Sequence, residues 1–317
     1  MEEFMKGNCS LLLILLGCAT VHADILSNLS PFFSSSRPDY DPVSLQGDGT
    51  AMDLRQAPFS PADSDLGMQQ ILQPYAGLPP VEFRFNSSYH HTDNIPDINP
   101  FRDESAWFWA SELDVNWMPR LAKGWFLDTG LNQAWYRFDD NRAVNFENFE
   151  AHVGLVKSIT QLDNLLVFAR YENQRLTNGE YSDSSYSAQR IRVGLQKDLI
   201  LAPRYQLSAG IDAAFDLVAH QDRLKRDQYT ADLSFTYWFA DRLSTTLSWT
   251  ASQWDFDVAG REDINQIVGW EIAWTPAESV SIFANVYYTH NDSNALFGIN
   301  DYQSLQTGIG FGLNYSF

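Results

Sequence analysis

The chain has 317 residues, of which 14% are aromatic and only 19% are charged. A formal charge of −19 and a pI of about 4.5 argue against a nucleic-acid partner, because a phosphate backbone is met by a basic surface. Mean hydropathy is −0.29, and no run beyond residue 23 approaches the roughly 18 apolar residues that a membrane helix needs.

In chain order, Lys6 precedes the apolar run Leu11–Leu16, and Val21-His22-Ala23 follows it. Residues 1–23 therefore read as a secretory signal peptide cleaved after Ala23, with Glu2 and Glu3 departing from the usual basic start. Both cysteines, Cys9 and Cys18, fall inside it, so the mature chain is expected to hold no disulfide, thiolate metal site or cysteine nucleophile. Leu15-Leu16-Gly17-Cys18 resembles a lipoprotein processing box in which Cys18 is lipidated, although Leu16 departs from that pattern. Residues 24–77 are rich in proline, with a serine run at Ser34–Ser36 and no sustained period; they are expected to form a mostly irregular periplasmic arm. Within the arm, Asp65–Gln73 suits two turns of helix ended by Pro74.

From residue 78 an alternation of apolar and polar residues begins and runs to residue 317. It divides into twelve expected strands, near 81–91, 107–117, 125–138, 147–158, 164–175, 186–197, 204–216, 228–239, 243–254, 264–274, 279–290 and 302–317. Connections after the even strands are short, and those after the odd strands are long and rich in Asp, Asn and Gly. Short turns alternating with long loops, and an even number of strands, are what a membrane-spanning barrel requires. The fold class expected is all-β: a single antiparallel up-and-down transmembrane β-barrel over 78–317.

The last strand shows the pattern best. Leu305, Thr307, Ile309, Phe311, Leu313, Tyr315 and Phe317 alternate with Gln306, Gly308, Gly310, Gly312, Asn314 and Ser316. Its end, with Phe311, Leu313, Tyr315 and Phe317 on one face, resembles the C-terminal signature by which Gram-negative-type outer-membrane β-barrels are recognised for insertion. The run Asn291-Asp292-Ser293-Asn294 before this strand resembles uncharacterised porin-like barrels. That resemblance implies a bacterial outer-membrane location with lipid, lipopolysaccharide and the barrel-assembly machinery as partners, and no cofactor.

Trp107 and Trp117, Trp125 and Trp135, Tyr205 and Phe215, and Tyr229 and Phe239 each stand ten residues apart on one strand face. Ten steps of about 3.3 Å, tilted about 40°, project to roughly 25 Å, the height of the apolar band between two aromatic girdles. The aromatic face is therefore expected to meet lipid. The other face carries Glu82, Arg84, Glu112, Asp114, Asp128, Glu150, His152, Arg170, Glu172, Arg190, Arg192, Asp212, Asp216, Asp232 and Glu271, ten acids and four arginines among them. Such groups need water or one another. Two arrangements satisfy them: a narrow hydrated pore with a transverse field, basic on one wall and acidic on the other, or an interlocked network that closes the lumen. The pore reading makes these the pore-lining residues of a passive, weakly cation-preferring channel for small hydrophilic solutes. The six long connections, with Glu147, hold seventeen Asp/Glu against six Lys/Arg, a solvated acidic rim that hard divalent cations also fit.

Enzymatic readings have three footholds. His290 and Ser293, within Tyr288–Asn294, resemble the His-x-Ser-Asn element of outer-membrane phospholipase A, a family of twelve-stranded barrels. Here the two residues are three apart rather than two, which in a strand points them to opposite faces. Ser88 and His90 share the inner face without an evident third group, and His90, His91 and Asp93 are the residues closest to a metal-binding cluster. No catalytic residue is assigned on these grounds; the expectation is a protein that is not an enzyme, with a lipid-acting barrel enzyme or a closed structural or adhesive barrel as the alternatives.

Overall fold

A strand whose alternate residues are greasy can bury that face only against lipid or a second layer, and the computed structural model shows no second layer among the residues it describes. Those residues are 81–94, 105–139, 145–162, 165–178, 184–202, 204–220, 225–257, 260–294 and 301–316. The expected signal peptide, the arm with its short helix, and Phe317 lie outside them.

Twelve long strands follow one another: β1 (Val81–Thr92), β2 (Ala106–Trp117), β3 (Trp125–Phe138), β4 (Phe146–Ile159), β5 (Leu165–Asn178) and β6 (Ser184–Ala202), then β7 (Tyr205–His220), β8 (Arg226–Ala240), β9 (Leu243–Phe256), β10 (Arg261–Ala277), β11 (Val280–Ser293) and β12 (Tyr302–Ser316). A three-residue piece, Arg120–Ala122, pairs with the start of β3 at the tip of its hairpin. Each strand pairs antiparallel with the next, and β1 pairs with β12 from Glu82↔Ser316 to Thr92↔Gln306, so the sheet closes. The fold is a closed twelve-stranded antiparallel β-barrel.

The strands run beyond their expected ends, mostly on the loop side. β7 continues from 216 to His220, β10 begins at Arg261 rather than 264, and β6 extends at both ends. Periodicity reports only where side chains change environment, whereas the backbone ladder goes on wherever two chains still run side by side. Hence Arg226, Arg261 and Asp263, which the sequence assigns to loops, stand on strands. At the other end β6 runs to Ala202 and β7 begins at Tyr205, so strand occupies most of the expected 198–203 turn, with a register shift between Asp198 and Ile200. A second shift at Gln189/Arg190 makes Leu217 and Val218, consecutive residues of β7, both face outward at 50% and 59% exposure.

The outer face carries the girdle residues Trp107, Trp117, Trp125, Tyr205, Phe215, Tyr229 and Phe239, all exposed, with Trp135 half-buried. Between them lie exposed Leu131, Val153, Ile191, Val193, Ile211, Leu233, Leu247, Val268, Ile282 and Ile309. An apolar surface encircling the molecule has no place in water and fits hydrocarbon.

The inner face holds a feature that the outward alternation hides. Phe108, Tyr136, Phe138, Phe146, Leu176, Trp254, Phe256, Phe283 and Tyr287 are buried inside the barrel. Phe108 stacks on Phe138 at 4.9 Å and Tyr136 on Phe146 at 4.3 Å between ring centroids. Large inner side chains recline over glycines of adjacent strands: a Cβ at Gly310 would stand 2.4 Å from Phe283 Cζ and 2.6 Å from the Ser87 carbonyl oxygen. Gly310→Val is accordingly expected to lower barrel stability by about 1–3 kcal/mol through overpacking, read as a shifted midpoint of urea unfolding from lipid vesicles.

Candidate functional site: the charged lumen

The alternation that sends leucines into lipid sends the carboxylates and guanidiniums of the same strands inward, and the register decides which of them meet. On β5 and β6, Glu172 stands opposite Arg190, and Arg170 opposite Arg192. Arg190 Nε donates to Glu172 Oε2 at 2.6 Å, its Nη2 to Glu150 Oε2 on β4 at 3.1 Å, and its Nη1 to Gln174 Oε1 at 3.2 Å. Arg192 Nε donates to Glu172 Oε1 at 3.0 Å, and its Nη1 to Asp212 Oδ1 on β7 at 2.5 Å. Glu172, only 1% exposed, is thus held between two arginines. These are charge-assisted bonds in a site shielded from water, the setting in which they are strongest.

Arg170 extends the ladder to β3 by ion-pairing with Asp128, whose Oδ1 also lies 3.3 Å from His152 Nε2. Arg170 must pass over β4 to get there. The register reads Asp128↔Gly154↔Arg170, and a Cβ at Gly154 would lie 2.8 Å from Arg170 Cγ and 2.4 Å from the Ala169 carbonyl oxygen. A side chain at 154 would block that crossing. On β2 and β3, Asn132 Nδ2 donates to Asp114 Oδ1 at 2.7 Å and also to Glu112. Arg84 Nη2 lies 3.3 Å from Glu82 on its own strand. Thr250 Oγ1 donates to Asp232 Oδ1 at 2.9 Å, and Glu271 is buried on β10.

All fifteen residues read onto the inner face from the sequence therefore stand there, but not as a basic wall facing an acidic one. Acids and arginines alternate along one half of the barrel, β3 to β7, and neutralise each other there. The other half, β8 to β12, is lined by hydroxyls and amides such as Thr236, Thr246, Ser248, Asn265, Asn285 and Gln306. Thr236 and Thr246 hydroxyls lie 3.0 Å apart. The reason is geometric: an arginine reaches the next strand long before it reaches across a lumen. The amides Asn132, Asn148 and Gln174, absent from the sequence-derived set, fill gaps in the ladder, with Gln174 Nε2 donating to Asn148 Oδ1 at 3.2 Å. Their inward parity was the available signal.

Nearer the loops, Arg226 and Arg261 flank Phe256, with guanidinium carbons 5.6 and 4.4 Å from the ring centroid, and Arg261 ion-pairs with Asp263. Outside the barrel at that rim, the hydrogen bond from Lys225 to Asp257, at 2.6 Å, holds the ammonium pKa above its ordinary value.

The catalytic candidates separate. His290 points outward, while Ser293 points inward and donates to Asp263 Oδ1 at 2.5 Å. Ser88 Oγ and His90 Nε2 do meet, at 2.7 Å, but both are buried and the imidazole stacks on Phe108 at 5.1 Å. Ser88 is 1% exposed. His91 instead packs edge-on to Trp107, and among the described residues no group of three or more His, Cys, Asp or Glu is placed to hold a metal ion.

A closed sheet with apolar side chains outside and an ion-pair ladder within has the fold of a transmembrane β-barrel. Neither a protein-family model nor a curated protein sequence matches the chain. Among solved structures, an outer membrane channel from Pseudomonas putida F1 superposes with a TM-score of 0.51 at 9% identity, covering 76% of this chain and 97% of that one. The NanC porin gives 0.43 at 11% identity, over 73% and 98% of the two chains. The likeness to the Pseudomonas channel is one of fold.

Glu172→Ala leaves Arg190 and Arg192, side by side on β6, without their shared carboxylate. A loss of about 3–5 kcal/mol is expected from breaking such a buried pair, against little change for Glu262→Ala at the exposed rim, both measured by urea unfolding from vesicles.

Proposed function

We propose that the chain is a narrow, passive outer-membrane channel for small hydrophilic solutes and ions, with a weak preference for cations. The observation that carries this reading is the surplus of carboxylates on the enclosed face. The inward residues read from the sequence hold ten acids against four arginines, Arg84, Arg170, Arg190 and Arg192, and an enclosed face with excess carboxylate concentrates cations. A channel of the same fold from Pseudomonas putida F1 is a precedent at the level of architecture only. In this reading residues 1–23 direct export and the 24–77 arm stays in the periplasm. The face formed by Phe311, Leu313, Tyr315 and Phe317 is what the assembly machinery recognises, and lipid and lipopolysaccharide surround the girdles.

A second reading, a barrel with a sealed lumen and a structural or adhesive role, draws on a different fact: most inner side chains, from Arg84 and Glu172 to Ser208 and Asn291, are below a tenth exposed. Planar-bilayer recording on the purified protein separates the two. Small unitary steps are expected, with a reversal potential displaced toward that of potassium in asymmetric KCl. A preference for chloride would overturn the assignment of surplus charge, and a silent bilayer with folded protein would establish the sealed barrel instead.

A further inference from the structure

At the loop rim, Arg137 pairs with Glu147 and Lys225 with Asp257. One hairpin at the turn rim gathers cations without such acids. Arg120 donates to the Ala122 carbonyl at 3.3 Å, and Lys157 Nζ to the Lys123 carbonyl at 3.3 Å while lying 4.8 Å over the Trp125 ring. Among the described residues no carboxylate pairs with Arg120, Lys123 or Lys157. Three cations are thus gathered at one hairpin end with only carbonyls and an aromatic face for company. Arg204 and Arg242 carry the basic rim onward, the latter donating to the Pro276 carbonyl at 2.9 Å.

Directly toward mid-membrane from this trio, the lipid face is indented. A groove of about 380 Å³ lies on β2 to β5, walled by Trp117, Leu131, Val153 and Tyr171. Its floor is low because the register aligns short side chains there: Thr129 opposite Trp117 and Val153, and Ala151 opposite Leu131. Trp117 is three residues before Arg120 and Val153 four before Lys157, so roughly 10–13 Å of strand, less than the length of an acyl chain, separates the groove from the cations. An apolar slot on the lipid face below a cluster of positive charge has the outline of an amphiphile with an anionic head.

We propose that this site binds a single anionic phospholipid, one acyl chain in the groove and the phosphate against Arg120, Lys123 and Lys157. The occupant is a lipid rather than free phosphate because the groove supplies most of the contact, and an acidic partner protein would leave that groove empty. The head is anionic rather than zwitterionic because the rim offers three cations and, among described residues, no acid within pairing distance; basic side chains near an anionic headgroup act additively, and their stems lie along the apolar surface while the charge reaches the polar layer.

Native mass spectrometry of the full-length protein released from detergent, with phosphatidylglycerol and phosphatidylcholine of identical chains in competition, tests this. Retention of phosphatidylglycerol over phosphatidylcholine by about tenfold at low salt is expected from three cations near one headgroup. Arg120→Gln/Lys123→Gln/Lys157→Gln should bring the ratio to about one, and Ala151→Phe, which fills the slot on the lipid face, should reduce retention of both lipids. Equal retention of the two lipids by the unaltered protein overturns the proposal. So does an unchanged ratio in the triple variant, or unchanged retention in Ala151→Phe, which would leave an acidic protein surface as the partner of the rim. None of these outcomes depends on whether the barrel conducts.

Discussion

The constraint on which the rest depends is that a peptide N–H or C=O in hydrocarbon has no water to bond with. A sheet crossing a membrane must therefore end nowhere, and the pairing of β1 with β12 removes the last two edges. Closure then dictates the distribution of side chains. One face of every strand is committed to lipid and the other is enclosed, where polar groups of adjacent strands meet. The Asp128–Arg170, Glu172–Arg190 and Arg192–Asp212 pairs answer a demand set by the backbone.

How the ladder is built depends on the width of a strand. Neighbouring strands bring opposed side chains within a few ångströms, so Glu172 takes Arg190 and Arg192 without effort. A contact that skips a strand needs a gap, and Gly154 leaves one for Arg170. The hydroxyl-lined half of the barrel makes do with short bonds such as Thr236 to Thr246. The lumen is consequently lopsided, with an ion-pair ladder along β3 to β7 and, along β8 to β12, mostly hydroxyls and amides interrupted by Asp232, Arg226, Asp263 and Glu271.

Strand number, order and outward face were legible in the sequence because each rests on a period of two and on where it breaks. Partners were not legible. That Arg170 faces Asp128 depends on the register of three strands together, which no single strand encodes. The inner aromatics were hidden for another reason: in Trp107-Phe108-Trp109 all three residues are greasy, so alternation has no contrast with which to assign Phe108 to the lumen. The outermost strand residues, Arg226, Arg261 and Asp263, looked like loop because the lipid signal had already ended beneath them.

Eleven of the twelve strand pairings join neighbours in the chain, and one joins its two most distant strands. Until β12 arrives, every intermediate is a curled ribbon with two raw margins, one of them β1 with its Ser88–His90 pair turned inward. The seam is therefore the slow, late event: hundreds of residues of tether must be drawn into a ring before the final ladder can zip. A ribbon with such margins is sticky toward any other ribbon. The cell that makes this protein must hold it apart from its siblings until its tail has found its head.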